Sequence, residues 1–269
     1  MQTDFLEGSA ARRLAVAALA ASLMPPLAAR AETAVPRCEP PIDLVRLAHP
    51  LPRLAAKVAT GDPVTIVAIG SSSTAGAGAT SPAATYPSRL AVELKRHFPG
   101  RRFTVINRGV NGEEIADMLR RFDQAVVAAK PDLVLWQLGT NSVLRDHAIG
   151  DHGALIRAGL KKIRATGADM VLIDPQFAPK VIMKPDAERM VELISATAKQ
   201  EDVDLFRRYE VMKRWHKVDR LGFDKIVAPD GLHLNDWSYA CMAKGLGLAI
   251  AEAARRPVLS ATAVHYAVP

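Results

Sequence analysis

The chain has 269 residues, 23% of them charged and 49% hydrophobic. That is enough for one sizeable core, and the balance excludes disorder, collagen and coiled coil as descriptions of the whole chain. The net charge of +7 favours anionic partners such as envelope polysaccharide or lipid head groups. Basic runs are short (Lys161-Lys162, Arg207-Arg208, Arg101-Arg102), so nucleic-acid binding is not implied.

Residues 1–31 read as a secretory signal peptide. Arg12 and Arg13 precede an apolar run, Leu14 to Met24, closed by Pro25 and Pro26. Ala29-Arg30-Ala31 then offers a cleavage site. Eleven apolar residues are too few to span a bilayer as a helix. The expected destination is the periplasm or the exterior. Cleavage removes three arginines and two acids, so the mature net charge is +6. In an exported chain Cys38 and Cys241 can pair; the alternative is two separate buried thiols.

Residues 32–60 form an arm with three early prolines and then a short helical stretch, Ile42 to Ala59, broken near Pro50 and Pro52. The main domain is expected over 61–255, with a tail at 256–269. Val64 to Ile69 is a continuous apolar run, followed by small polar residues. Tyr86 to Phe98 has helical period, with Leu90, Leu94 and Phe98 on one face and Pro87 in the first turn. Phe103 to Ile106 is a second apolar run, and Glu113 to Lys130 a second helix ended by Pro131. Leu133 to Leu138 is the third run. Gly153 to Thr166 is the third helix, stopped by Gly167. Met170 to Ile173, a helix over Asp186 to Gln200, and Val203 to Phe206 follow. Asn235 can cap a last helix running to about Arg255.

Strands and helices alternate, and the strands are apolar throughout. Such strands are buried on both faces, as in a parallel sheet covered by helices. The predicted fold is α/β: a three-layer, doubly wound, mostly parallel five-stranded sheet, flavodoxin-like, in the order 2-1-3-4-5.

In such sheets the site forms beyond the carboxyl ends of the strands. Gly70-Ser71-Ser72-Ser73-Thr74 follows the first strand, and Asn107-Arg108-Gly109-Val110-Asn111-Gly112 the second. Gly139-Thr140-Asn141-Ser142 follows the third, and Asp230-Gly231-Leu232-His233 precedes the last helix. Alone, each block is an ordinary turn or cap. Together they offer a serine, a histidine base, an acid to orient it, and amide donors for an oxyanion, which is acyl-transfer chemistry.

These four blocks resemble the SGNH, or GDSL-type, hydrolase family. The resemblance runs from Gly70 to His233. It implies Ser72 as nucleophile, Asp230 and His233 as its partners, and an oxyanion hole from Ser72, Gly112 and Asn141. It also implies the same flavodoxin-like fold, and a reaction that needs no metal or organic cofactor. Ser71 and Ser142 stand where that family usually has Asp, and either neighbour of Ser72 could take its place if the register were off by one.

The expected activity is that of an exported serine esterase acting on a small-molecule or carbohydrate ester, O-acetyl esters among them. A lipase or lysophospholipase, an O-acyltransferase, and a non-catalytic carbohydrate-binding relative are the alternatives. Gln176 and Phe177, after the fourth strand, are candidates to line the substrate pocket. Two acid–histidine pairs, Asp146-His147 and Asp151-His152, could ligate a metal but read more simply as solvated loop. Trp237 reads as packing rather than as a platform for a sugar ring.

Overall fold

The computed structural model describes residues 36–257. The expected signal peptide, and the tail beyond residue 257, lie outside them. The chain divides into two units, Met1–Arg37 and Cys38–Pro269, and the fold is that of the second.

Five parallel strands form one sheet: β1 (Val64–Gly70), β2 (Phe103–Gly109), β3 (Leu133–Gln137), β4 (Asp169–Ile173) and β5 (Asp204–Phe206). Their order is β2-β1-β3-β4-β5. This is the predicted topology. The central strand β3 and its neighbour β1 are buried almost end to end, which is what continuous apolar runs require. β2 differs from that expectation. It is an edge strand, and six of its seven residues, all but Phe103, are partly or fully exposed. Its polar tail Asn107-Arg108-Gly109 nevertheless stays in register, pairing with Ala68, Ile69 and Gly70.

Seven longer helices cover the sheet and its ends: α1 (Pro52–Thr60), α2 (Tyr86–His97), α3 (Ile115–Arg120), α4 (His152–Arg164), α5 (Ala187–Gln200), α6 (Arg208–Lys217) and α7 (Asp236–Arg255). α2 packs on α7, while α4 packs on both α3 and α5. α2 starts with Pro87 in its first turn, buries Leu90 and Leu94, and carries Lys95 and Arg96 in its last turn, cations that suit a helix C-terminus. α7 is capped by Asn235, whose side chain accepts from the Ser238 amide.

Two elements depart from the sequence reading. The helix expected over 113–130 is broken into α3, a turn at Phe122–Ala125 and a 3₁₀ turn at Val127–Ala129. The break falls at Arg121, whose guanidinium is held by the Glu113 carboxylate and the Arg108 carbonyl. α6 was not expected at all. Six of its ten residues are charged or histidine, yet Arg208, Tyr209, Val211, Met212 and Trp215 are buried.

Cys38 and Cys241 form a disulfide, with their Cα atoms 5.4 Å apart. It ties the start of the arm to α7.

Candidate active site

β1 ends at Gly70, and the chain turns at once into a helical turn, Ser72–Ala75. That turn lies on the end of β2. A Cβ on Gly109 would fall 2.0 Å from the Ala75 nitrogen, so only glycine permits the approach. The three consecutive serines part company here. Ser71 is buried, and its amide and hydroxyl both donate to Gln137 Oε1, at 2.9 and 3.0 Å. Ser73 is buried with its hydroxyl 3.5 Å from Gln176 Oε1. Ser72 is half-buried and turns its hydroxyl outward, 2.8 Å from His233 Nε2.

His233 and Asp230 come from the loop before α7. Asp230 Oδ1 accepts the amides of Leu232 and His233, both at 2.9 Å. Its Oδ2 lies 2.5 Å from His233 Nδ1. Gly231, at φ +69°, makes the tight turn that puts both side chains on one side. Burial pushes the Asp230 carboxyl up, but the bonds from the His233 ring and from the two amides outweigh it and hold the group below the usual carboxylate range. Gly78 lets the next loop pass close behind: a Cβ there would meet the Leu234 carbonyl at 2.5 Å and His233 Cβ at 2.9 Å. Thr80 fixes that loop to α7, its amide donating to Asp236 Oδ1 at 2.9 Å.

Gly112 sits in a turn after β2 with φ +79°. Asn141 lies in the first turn after β3, and its Nδ2 donates to the Glu113 carbonyl at 2.8 Å. A carboxamide has two N–H donors, so one remains. These two loops are clamped by Glu114. Its carboxylate accepts from Ser142 Oγ at 2.8 Å and Arg145 Nη1 at 2.6 Å, with His147 Nδ1 3.1 Å away. Arg145 Nη2 also donates to the Gly112 carbonyl at 2.9 Å. Ser142 therefore still meets a carboxylate, brought in from the neighbouring loop. Burial raises the Glu114 carboxyl, but its bonds to Arg145, Ser142 and His147 more than reverse this and hold it low. Buried His152 lies 2.8 Å from Ser142 Oγ, and burial pushes its pKa down.

Gln176 and Phe177 stand elsewhere than the sequence reading put them. Both are buried. The Gln176 amide is engaged by Thr140 Oγ1, Arg208 Nη2 and the Leu232 carbonyl, so it backs the site instead of lining it. Phe177 packs edge-on against Tyr209, with ring centroids 5.2 Å apart, and beside Phe223 at 5.9 Å. A cavity of about 680 Å³ opens instead beside the histidine loop, lined by residues including Pro179, Phe223, Pro229, Gly231 and Trp237. Trp237 also packs edge-on against Trp215 at 5.1 Å.

The acid–histidine pairs are engaged locally: Asp146 pairs with Lys184, and His147 and His152 join the Glu114 network. Among the described residues, no group of three or more His, Cys, Asp or Glu is arranged to hold a metal ion. Nor is any helix among them long and apolar enough to cross a membrane.

Residues 37–256 match the model of the Non-GDSL lipase-like family. No curated protein matches the chain. Among solved structures, a two-domain esterase active on acetylated mannans is similar over 86% of this chain, at 20% identity and a TM-score of 0.69. The chain spans 61% of that esterase's length. Axe2, an acetylxylan esterase from Geobacillus stearothermophilus, is similar over 70% of this chain and 94% of its own, at 18% identity and a TM-score of 0.60. Likeness at such identities speaks for the fold.

Proposed function

Since the chain belongs to the Non-GDSL lipase-like family, we propose that it is an exported serine esterase with an SGNH-type site. One observation carries this reading: the unbroken chain from Ser72 Oγ through the His233 ring to Asp230, at 2.8 and 2.5 Å.

In this mechanism His233 Nε2 takes the Ser72 proton as Oγ attacks the ester carbonyl. Asp230 fixes the tautomer and stabilises the imidazolium. The tetrahedral oxyanion is met by the amides of Ser72 and Gly112 and by the free Asn141 N–H. His233 then gives its proton to the leaving alcohol, and the C–O bond breaks to leave an acyl-serine. Water, deprotonated by the same ring, releases the acid and restores Ser72. No step calls on a metal or organic cofactor.

The substrate reading is an acylated carbohydrate, with O-acetyl esters first. The 680 Å³ cavity borders the histidine loop, the side on which the alcohol leaves, and Phe223 and Trp237 give it aromatic walls. The two esterases of similar fold, one active on acetylated mannans and one an acetylxylan esterase, favour the same class. A lipase would use that cavity for a long chain. An O-acyltransferase would pass the acyl group to a sugar hydroxyl instead of water.

The test is hydrolysis of aryl esters of two, four, eight and twelve carbons by residues 32–269, beside Ser72→Ala. Activity on short esters that vanishes in the variant supports the acetylesterase reading. Preference for long chains favours the lipase, and product analysis with an acceptor sugar separates the transferase. Full activity in the variant overturns the assignment of Ser72. Export is tested by sequencing the N-terminus of the secreted protein, expected at Glu32.

A further inference from the structure

The loop after β4 contributes no reacting group, yet one of its residues touches three of the four loops that do. Gln176 is 1% exposed. Its Oε1 accepts from Thr140 Oγ1 at 3.0 Å, and Thr140 precedes Asn141. Its Nε2 donates to the carbonyl of Leu232, which precedes His233, at 3.2 Å. The Ser73 hydroxyl, next to Ser72, lies 3.5 Å from the same Oε1, a long contact. Each partner is thus the chain neighbour of a proposed reacting residue.

The amide is itself anchored. Arg208 Nη2 donates to Gln176 Oε1 at 2.9 Å, and its Nε donates to the Asp174 carbonyl at 2.9 Å. Arg208 is 1% exposed. A buried guanidinium is costly to desolvate, and replacing such groups by apolar side chains is often neutral or stabilising. A hydrophobic residue would fill this place more cheaply if filling were its only task. A cationic donor polarises the acceptor it meets, and the two bonds that Arg208 makes, to Gln176 Oε1 and to the Asp174 carbonyl, tie the amide to the end of β4 in a way apolar contact does not.

We propose that Gln176, anchored by Arg208, is a positioning residue that sets the Ser72, Asn141 and His233 loops in mutual register. The inference rests on the proposed triad and oxyanion roles. Gln176 touches no substrate. Its effect is on the alignment of groups that do, where a misplacement near 1 Å can cost about 100-fold in rate.

The experiment compares Gln176→Met, similar in volume without the hydrogen bonds, with Gln176→Glu, which keeps the acceptor for Thr140 and Arg208 but loses the donor to Leu232. Four quantities are read on residues 32–269: kcat and KM on an aryl acetate, the thermal midpoint, and the far-downfield imidazole proton of His233 by NMR. For Gln176→Met the expectation is a folded protein with kcat reduced about 100-fold, KM within about threefold, and the downfield proton lost or shifted. Gln176→Glu should restore about tenfold of that kcat, since half of the bonding survives. Wild-type kcat and an unmoved proton signal in both variants would overturn the proposal. So would losses no larger than the unfolded fraction. A wild type inert on every ester would instead sink the esterase reading, while the proton signal would still decide the role of Gln176.

Discussion

The hydroxyl of Ser71 lies 3.0 Å from Oε1 of Gln137, the one polar side chain of β3. This pair removes Ser71 from the surface and turns the next residue toward His233. Ser72→Ala should therefore lower kcat by about 10⁴-fold or more with little change in fold. Ser71→Ala should keep the nucleophile and lose stability instead, by about 0.5–1.5 kcal/mol, because the buried Gln137 oxygen loses one donor while the Ser71 amide and the Thr74 hydroxyl remain. Parallel kinetics and thermal melts of the two variants check this; a collapse of kcat in Ser71→Ala alone would reverse the assignment.

In the proposed mechanism Asn141 carries two burdens, one N–H for Glu113 and one for the oxyanion. Asn141→Ala should cost about 2.7–4 kcal/mol in the barrier, read from kcat/KM on a short aryl ester. A melt should show a separate, smaller loss from the freed 112–114 loop. A variant with unchanged kcat/KM would exclude Asn141 from the oxyanion hole.

Glu114 links three partners across two loops, Ser142, Arg145 and His147. Glu114→Ala should destabilise the protein by about 1–3 kcal/mol, because Ser142, which is buried, loses its acceptor. The carboxyl is held low in the fold, so its contribution is present above its ordinary pKa of 4.5 and drains as pH falls below it. The difference in thermal midpoint between wild type and variant should shrink on acidification through that range.

Asp174 behaves oppositely. Burial pushes its carboxyl up to about 7 from 3.8, against the Tyr209 amide and Arg208, which both favour the charged form. The fold then binds this proton more tightly than the unfolded chain does. The stability it lends is full below pH 3.8 and is lost as pH rises through about 7. Asp174→Asn should flatten the dependence of the thermal midpoint on pH between these values, measured by calorimetry. Asp169, raised to about 6 mainly by burial, leaves a residual slope in both proteins. An identical slope in both would place the titration elsewhere.

The disulfide predicts a further loss. It closes a separation of 203 residues, for which chain-entropy models give about 5 kcal/mol as an upper figure. Cys38→Ser or reduction should lower the unfolding midpoint without changing kcat, since neither cysteine touches the triad loops. An unshifted midpoint would mean that the bond is absent in the working protein.

What the sequence made legible follows from its physics. β1 and β3 are buried on both faces, so all but Thr65 and Gln137 of their residues are apolar or glycine, and strand order follows from alternation. The acid–histidine pair of the proposed triad was readable because Asp230-Gly231-Leu232-His233 is local: one turn brings the two side chains together. The place of Gln176 was not legible, because a buried amide in a connecting loop and a pocket amide look alike in a sequence; only Thr140, Leu232 and Arg208, distant along the chain, distinguish them. α6 was missed for the same reason. Arg208 counts as a surface residue until its partners at Asp174 and Gln176 are known. The break at Arg121 likewise depends on a carboxylate eight residues away.

The bond between Cys38 and Cys241 makes a covalent ring of the segment between them. Ser72, Asn141, Asp230 and His233 all lie inside that ring. A protease that cuts one exposed loop within it opens the ring but releases no piece. Outside the cell, a singly nicked molecule would keep every group of its site on one connected object, and the cut would show only on a reducing gel.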